Sequence, residues 1–401
     1  MSSRILCALL LGQALSAAAS GQTTAENLSG AVSVKEYGAR ADGVSDDLPA
    51  INRAFAGVAR KGQRLLFPAG TYGVSGTVVI PTKTQIFGVG RGDPGFANTV
   101  IKALPTFPPG GAVVQMGVAP GPDFGVQIEN LTIDGSLIAG TCLLNNYSQE
   151  QSFGRNLVLA SCSSAGLRVS GGAAMNSGPF DNLEVLPGVG AATNRKTLCV
   201  EVSSVGSFRG IRGLTCNAGS NYSSRPAVGM KLDGAGVYQD IHIEHFATAV
   251  TLGSTSNSAD TLIFADGTFG PDVTTGLVIT APPGVNNQNL TILGISCTTC
   301  KTLLRDDMTD THISDAAGWY LLGNGSGKNK AILSSNYGIG GQIFGLFRAP
   351  QIQLTSDGPR PGCSAADRGT FWFVRSGSGV ADHVQVCSKT AGDTYSWAAI
   401  F

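Results

Sequence analysis

The chain has little charge and few aromatic side chains. Of its 401 residues, 13% are Asp, Glu, Lys or Arg, about half the share of an ordinary soluble domain, and 7% are aromatic. Positive and negative residues number 27 each, so the formal net charge is zero. The missing basic excess argues against a nucleic-acid-binding protein, which normally neutralises phosphates with lysine and arginine. The hydrophobic share of 42% argues against intrinsic disorder, which combines few apolar residues with high net charge.

Glycine, by contrast, is abundant. Its 55 positions keep no three-residue period, and this excludes a collagen triple helix. Little charge combined with much glycine is typical of short strands joined by tight turns. The composition therefore favours an all-β fold over a helical bundle.

The first residues have the features of a secretory signal peptide. Arg4 is followed by an apolar stretch from Ile5 to Leu15 and by the small residues Ala17 to Ala19. Gln13 interrupts the apolar run, which is too short for a membrane anchor of roughly 18 residues. We therefore expect residues 1–19 to be a signal peptide and the protein to be secreted, extracellular or periplasmic, with no membrane span.

Eight cysteines lie beyond this segment, and an even number in an exported protein indicates disulfide bonds. Many pairings are possible, but proximity along the chain predicts Cys142–Cys162, Cys199–Cys216, Cys297–Cys300 and Cys363–Cys387. The spacing of Cys297 and Cys300 also occurs in zinc and redox sites. Because neither a second such pair nor a βαβ context accompanies it, a structural bridge is the better interpretation.

One helix is predicted near the N-terminus. Ser45 or Asp46 can cap it, Pro49 suits its first turn, and Gly62 can end it. Between these positions the apolar residues recur at helical spacing, namely Ile51, Ala54, Phe55, Val58 and Ala59. We expect this helix to cap the N-terminal end of the fold.

A loose repeat runs through the middle of the chain. Each copy has a small polar residue followed by two apolar residues two positions apart. The leading residues of the copies are Asn130, Asn156, Asn182, Gly210, Asp240, Thr261 and Asn289, separated by 26, 26, 28, 30, 21 and 28 positions. Alternation predicts strands, and such a period indicates a solenoid whose stacked coils share an apolar core. A parallel β-helix fits best, because a helical solenoid would need helices that the repeats lack.

Two runs near the N-terminus carry a family resemblance. One contains Tyr37-Gly38-Ala39, Asp42-Gly43, Asp46-Asp47 and Ala50-Ile51, and the other is Phe67-Pro68-Ala69-Gly70-Thr71-Tyr72. Both resemble the N-terminal pattern of the pectate-lyase-like superfamily, which includes rhamnogalacturonase- and epimerase-like enzymes and phage tailspikes. The resemblance implies an all-β, right-handed parallel β-helix over residues 31–350, with the predicted helix at its N-terminal end. Because the superfamily contains lyases, hydrolases and binding proteins, no single reaction is implied.

A separate β module is predicted at the C-terminus. The turn-rich stretch from Thr355 to Pro361 precedes two alternating runs, residues 369–374 and 383–386. Cys363 and Cys387 can join these strands. We therefore predict a small β module over residues 356–401, which could bind sugar, cap the solenoid or promote assembly.

Charged residues of the central repeats form the candidate site. If the coils stack in register, the residues between the apolar positions make one outward column, namely Thr132, Val158, Glu184, Arg212, His242, Ile263 and Thr291. Asp240 and Glu244 flank His242, two positions away on either side. The alignment thus predicts a catalytic patch of Glu184, Arg212, Asp240, His242 and Glu244.

Two reactions on a polysaccharide suit such a patch. In a lyase, His242 would abstract the proton next to a uronate carboxylate and Arg212 would stabilise the developing charge, while Asp240 or Glu244 would orient the imidazole. In a hydrolase, two of the three carboxyl groups would act as a pair. The chain lacks the Gly-His-Gly motif of the polygalacturonase-like hydrolases, so a lyase acting on an acidic glycan is the leading hypothesis.

Three alternatives to a lyase stay open. One is a hydrolase of the same fold, and another is a non-catalytic, tailspike-like protein that binds glycan and could form a trimer. The third is a solvated ladder of ion pairs without function, since surface ion pairs contribute only about 0–1 kcal/mol each.

A weak candidate metal site lies further along the chain. Asp306, Asp307 and Asp310 belong to its densest acidic cluster and could bind calcium through their oxygens. Their spacing does not follow the EF-hand pattern, so a solvated loop is the better interpretation. Calcium is thus the one cofactor for which the sequence offers ligands, and a polysaccharide is the main expected partner.

Overall fold

A computed structural model describes residues 30–58, 64–92, 98–171, 176–187, 197–203, 208–219, 226–233, 236–253, 262–280, 290–293, 295–306, 319–321, 360, 362–365 and 367–400. The chain divides into two compact units, Met1–Ile339 and Gly340–Phe401. The first is the predicted right-handed parallel β-helix, and the second contains a small antiparallel sheet. None of the helices in the described ranges is long and apolar enough to cross a membrane. The predicted signal peptide lies outside these ranges.

Two parallel sheets build the first unit, and successive coils add successive strands to each. Sheet A consists of β1 (Ala31–Ser33), β2 (Asp42–Asp46), β3 (Arg64–Phe67), β4 (Gly70–Val74), β6 (Gln85–Gly88), β7 (Thr99–Ala103), β9 (Gln127–Asp134), β11 (Phe153–Ala160), β13 (Phe180–Leu186), β15 (Gly210–Asn217), β17 (Gly236–Glu244), β19 (Leu262–Phe269), β21 (Leu290–Leu293), β22 (Ser296–Cys297) and β24 (Trp319–Leu321). Sheet B consists of β5 (Val78–Ile80), β8 (Ala112–Met116), β10 (Thr141–Asn145), β12 (Ala165–Ser170), β14 (Leu198–Ser203), β16 (Val228–Asp233), β18 (Thr248–Leu252), β20 (Thr275–Ile279) and β23 (Thr302–Asp306).

The N-terminal end carries a 3₁₀ helix (Val34–Tyr37) and α1 (Leu48–Val58). Four residues of the predicted apolar stripe are buried in α1, namely Ile51, Ala54, Phe55 and Val58, and Ala50 is buried with them. The Asp46 carboxylate accepts a hydrogen bond from the Leu48 amide at 3.1 Å, so Asp46 rather than Ser45 caps the helix. The predicted continuation to Ala59 and Gly62 lies outside the described residues.

Carboxylates of the N-terminal motif hold the backbone in place. Asp47 is buried and accepts hydrogen bonds from the amides of Arg40 and Ala41, at 2.7 and 3.0 Å. Asp42 likewise accepts from the amides of Ser45 and Val44, and these bonds lower the pKa of the Asp42 carboxyl to about 2. These acidic residues therefore have structural roles.

Six successive strands of sheet A, namely β9, β11, β13, β15, β17 and β19, each bend at a single residue. The bend residues are Asn130, Asn156, Asn182, Gly213, Asp240 and Asp266, and their φ angles lie between 52° and 66°. Together they are called the bend row. In each strand, the part before the bend residue is called the first arm and the part after it the second arm. Asn, Asp and Gly are the residues that adopt this left-handed conformation at least cost. One such residue therefore turns the strand without a loop.

Side chains of the bend row bond from coil to coil. Asn156 Nδ2 donates to Asn130 Oδ1 at 2.9 Å, and Asn182 Nδ2 donates to Asn156 Oδ1 at 2.6 Å. The Arg91 guanidinium then donates to Asn182 Oδ1 at 2.9 Å. Because each amide needs its neighbour directly above or below it, the ladder fixes the alignment of the first coils.

Inward side chains of both sheets form one continuous apolar core. On the second arms the inward row consists of Leu131, Leu157, Leu183, Leu214 and Ile241, all buried. The disulfides Cys142–Cys162, Cys199–Cys216 and Cys297–Cys300 are present in this unit, so the predicted pairing is confirmed.

The second unit contains the antiparallel strands β25 (Phe371–Val374), β26 (His383–Lys389) and β27 (Tyr395–Ala399), in that order. The fourth predicted disulfide, Cys363–Cys387, joins β26 to the segment before β25. The Arg360 guanidinium lies over the Trp397 ring, with its Cζ 5.8 Å from the ring centroid. One disulfide bond and one cation–π contact therefore stabilise this unit.

We expect Asn156→Ala to destabilise the protein by about 3–4 kcal/mol. The variant loses two ladder hydrogen bonds of about 1 kcal/mol each, and it places an alanine at positive φ at a cost of about 1–2 kcal/mol. Asn156→Gly is the matched control, because glycine adopts this φ freely and should lose mainly the hydrogen-bond part. Chemical unfolding followed by circular dichroism measures both, and wild-type stability in both variants would contradict a structural role for the ladder.

Candidate functional site

The strand pairing places two predicted site residues in one outward row. Glu184 is paired with Thr215, and Thr215 with His242. Val158 precedes them and Thr268 follows them in this register, and the whole set is called the second-arm row. Glu184 and His242 are two coils apart, which is roughly 10 Å at the usual spacing of parallel strands.

Arg212 lies elsewhere, so its predicted place in this row is wrong. It is paired with Asp181 on one side and with Gln239 on the other, three residues before the row that contains Thr215. These three side chains belong to the first arm. The bend row therefore separates the guanidinium of Arg212 from the imidazole of His242.

The same error affects Ile263 and Thr291, which are paired with each other on the first arm. Apolar and polar residues alternate on both arms. The pattern of two apolar residues two positions apart therefore does not tell which arm a given residue occupies. In β15 the bend residue is Gly213 rather than Gly210. In β19 it is Asp266, and the glycine after it replaces the first apolar residue of the expected pattern.

Glu244 is the carboxylate that contacts His242. Its Oε1 lies 2.7 Å from His242 Nε2, and its Oε2 accepts a hydrogen bond from Asn217 Nδ2 at 2.8 Å. A Cβ at Gly270 on the next coil would come within 2.8 Å of Glu244 Cγ, so the carboxylate side chain fills the space above that glycine. The side chains of His242 and Glu244 are 37% and 22% exposed. The pair can therefore contact a ligand that lies along the sheet.

Asp240 does not stand beside His242 as predicted. It is the bend residue of β17, with φ 56°, and its left-handed backbone breaks the alternation that would have aligned the two side chains. Among the described residues, neither Asp240 nor Glu184 has a hydrogen-bond or ion-pair partner. Both carboxylates can therefore accept hydrogen bonds from a ligand without losing an existing contact.

The outward face around these residues is acidic. Strands β13, β15, β17 and β19 carry the carboxylates of Asp181, Glu184, Asp240, Glu244 and Asp266. Arg212 is the one arginine or lysine in these four strands. The local field therefore favours neutral or cationic ligands over anionic ones.

A second charged row, on sheet B, was missed by the sequence analysis. Arg168, Glu201 and Lys231 are paired in register on consecutive coils. Arg168 Nε lies 2.7 Å from Glu201 Oε2, and Lys231 Nζ lies 2.9 Å from Asp233 Oδ2. The hydrogen bond to Asp233 raises the pKa of the Lys231 ammonium. Positive and negative groups are thus paired on this sheet.

The sequence does contain a signal for this row. Each of the three charged residues stands between two buried apolar residues, as Glu201 stands between Val200 and Val202. The spacings along the chain, 33 and 30 positions, resemble those of the repeat that was found. A search for apolar–charged–apolar triplets at that period would have found it.

The weak calcium candidates lie largely outside the described residues. Asp307 and Asp310 are not among them, and of Asp306 the structure describes the backbone at the end of β23. Within the described ranges, His, Cys, Asp and Glu side chains form no cluster of three or more that could hold a metal. A calcium site at these positions stays a prediction.

The stacked coils and their outward polar rows define a right-handed parallel β-helix protein, and comparison with known families specifies the class further. Residues 31–153 match the family described as rhamnogalacturonase A/epimerase, pectate lyase-like. The N-terminal part of the chain is therefore pectate-lyase-like, as its motifs predicted. The matched segment contains those motifs and the first bent strand.

Individual proteins resemble parts of the chain. The pre-neck appendage protein of Bacillus phage phi29 is 33% identical over 106 residues, which are 26% of this chain and 11% of the length of that relative. The solved ORF18 of Geobacillus virus E2 is similar over 96% of this chain and 76% of its own, with 15% identity and a TM-score of 0.41. The surface protein and adhesin PfbA of Streptococcus pneumoniae is similar over 75% of this chain and 99% of its own, with 15% identity and a TM-score of 0.40.

The register of the site can be tested by thiol cross-linking. We expect a short bifunctional thiol reagent to cross-link Glu184→Cys with Thr215→Cys, because these positions are neighbours on adjacent strands about 4.8 Å apart. The matched control pairs Glu184→Cys with Arg212→Cys, which lies three residues before Thr215 in the same strand and should cross-link far less. Mass spectrometry of peptides measures both yields, and the reverse order of yields would contradict the register.

Proposed function

We propose that this protein is a secreted glycan-binding protein that grips a neutral polysaccharide along sheet A and does not cleave it. The observation that carries this proposal is the separation of Arg212 from His242 by the bend row. Four disulfides support export, because such bonds persist in oxidising compartments outside the cytosol.

The separation weakens the lyase hypothesis. β-Elimination needs a base at the sugar proton and a cation at the neighbouring carboxylate, both within contact of one sugar residue. His242 can serve as the base, but Arg212 lies on the other arm. The acidic face adds to this argument, because five carboxylates near the site would repel a uronate.

Glycan binding fits the same face. Glu184, Thr215, His242 and Thr268 project outward at intervals of about 4.8 Å from a rigid sheet. Carboxylate, hydroxyl and imidazole groups in such a row can each bond a hydroxyl of a successive sugar. Since the row crosses several coils, a chain of sugars rather than a single one is the ligand that would fill it.

The phage relative also supports binding over catalysis. Its printed name, pre-neck appendage protein, denotes a part of a virus particle and no reaction. The similarity covers 26% of this chain and 11% of the relative. An attachment role for this protein is therefore proposed from the face of sheet A, with the relative as secondary support.

Hydrolysis is the second candidate, and the unpartnered carboxylates of Glu184 and Asp240 favour it. An inverting hydrolase holds its two carboxyl groups about 6.5–9.5 Å apart. The two residues lie on strands two coils apart and on different rows, so their side chains would have to lean towards each other. Binding needs no such approach and is the better-supported function.

The test is a panel of neutral and uronic-acid polysaccharides with simultaneous measurement of binding and products. We expect binding to a neutral glycan, with neither new reducing ends nor the absorbance of unsaturated products. The double variant Glu184→Gln/Asp240→Asn should weaken binding at least about tenfold, a loss of about 1.4 kcal/mol. Asp393→Asn in the second unit is the matched control and should bind like the wild type.

The type of product distinguishes the two enzymatic alternatives, a lyase and a hydrolase. Unsaturated products that disappear in His242→Ala would establish the lyase hypothesis, and new reducing ends without them would establish hydrolysis. Either result would overturn the proposal, as would wild-type binding by the double variant. Circular dichroism of all variants distinguishes a lost contact from a lost fold.

A further inference from the structure

We propose that the open space above Gly213 is a subsite for the hydroxymethyl group of a neutral hexose. Gly213 is the one member of the bend row without a side chain, and it lies between Asn182 and Asp240 of the neighbouring coils. The space between those two side chains is called the glycine gap. The inference rests on the proposed glycan binding and names the chemical group by which this face would distinguish one sugar from another.

Neither the backbone nor the packing requires glycine at this position. The φ angle of Gly213 is 66°, and the asparagines and aspartates of the bend row adopt similar left-handed angles of 52° to 57°. A Cβ added at Gly213 would meet its nearest atoms, Cα and N of Asn182, at 3.6 Å, which is ordinary van der Waals contact. Glycine also loses more conformational entropy on folding than any other residue. The fold would therefore accept asparagine here, and open space is the property that glycine adds.

Polar groups with free hydrogen-bonding capacity border the glycine gap. Asp240 Oδ2 lies 3.9 Å from the position of a Cβ at Gly213, so a ligand atom one or two bonds beyond that position can reach hydrogen-bonding distance of the carboxylate. Arg212, the outward residue directly before Gly213, is exposed. Within the described ranges, neither Asp240 nor Arg212 has a hydrogen-bond or ion-pair partner. A ligand hydroxyl can therefore donate to Asp240 while it accepts from Arg212.

The opposite wall of the glycine gap is held in place by hydrogen bonds. Asn182 Nδ2 donates to Asn156 Oδ1 on the preceding coil at 2.6 Å, and Asn182 Oδ1 accepts from the Arg91 guanidinium at 2.9 Å. Arg91 also donates to the backbone carbonyl of Asn182 at 2.9 Å. Because both ends of the Asn182 amide are bonded, the side chain is not free to turn into the gap. The gap is therefore formed before a ligand arrives, and binding needs little ordering of this wall.

A hydroxymethyl group suits the glycine gap in reach and in charge. The other hydroxyls of a sugar are attached directly to the ring, whereas the hydroxymethyl carbon carries its hydroxyl one bond further out, where it can enter a recess between side chains. A uronic acid has a carboxylate in the same place, and Asp240 would repel it. A pentose such as xylose has no group there and would cover the Asp240 carboxylate without bonding it. The gap therefore favours a neutral hexose over both of these sugars.

Binding of neutral polysaccharides to the full chain tests the subsite by titration calorimetry. We expect the wild type to bind at least one of amylose, mannan and galactan, and to bind xylan at least about tenfold more weakly. Gly213→Asn should weaken binding of the hexose polymer by a similar factor, because its amide fills the gap. Gly171→Asn is the matched control and should bind like the wild type. Gly171 also has a left-handed backbone, with φ 82°, an added Cβ there would meet nothing closer than 4.0 Å, and it follows β12 of sheet B.

Two results would overturn the subsite while leaving the proposed function intact. One is a wild-type protein that binds xylan as tightly as the hexose polymers, a comparison that depends on no variant. The other is wild-type affinity for the hexose polymer in Gly213→Asn, with circular dichroism verifying its fold. A wild-type protein that binds none of the neutral polysaccharides would instead overturn the proposed function, and the subsite with it.

Discussion

The left-handed residue in each bent strand is the constraint on which the rest of the β-helix depends. Asparagine meets it at three successive coils, and its amide adds a bond to the coil above. The positive φ angle and the hydrogen bonds of the asparagine side chains therefore favour the same alignment of neighbouring coils. At the three asparagines, a slip by one residue would put a leucine or a charged residue at positive φ and break the ladder, so the register is held more strictly than by apolar packing alone.

This constraint also determines what the outward face can do. The bend divides that face into two arms, with Glu184 and His242 on one arm and Arg212 on the other. Groups that are close in the linear pattern are thereby separated, and the carboxylates lose the cation that would make them an elimination site. What is left is a regular row of hydrogen-bonding groups on a rigid support, which suits recognition of a repeating polymer.

The sequence predicts much of the fold because solenoid packing repeats simple rules. The helix stripe, the four disulfides and the bend residues Asn130, Asn156, Asn182 and Asp240 were all accessible from spacing and residue type. Gly213 and Asp266 were not, because residues alternate on both arms and a glycine interrupts the apolar pattern after Asp266. The predicted site depends on which arm each charged residue occupies. The sequence pattern therefore puts Arg212 on the second arm, whereas the structure has it on the first. The charged row of sheet B belongs to a second apolar pattern, which the repeat of sheet A does not predict.

The central claim is that the bend row sets the register of sheet A and so separates Arg212 from His242. A crystallographic electron-density map of this sheet measures that register most directly. The account predicts Glu184, Thr215 and His242 in one row at steps of about 4.8 Å, with Arg212 beside Gln239. Density that places the Arg212 side chain between those of Glu184 and His242 would contradict it.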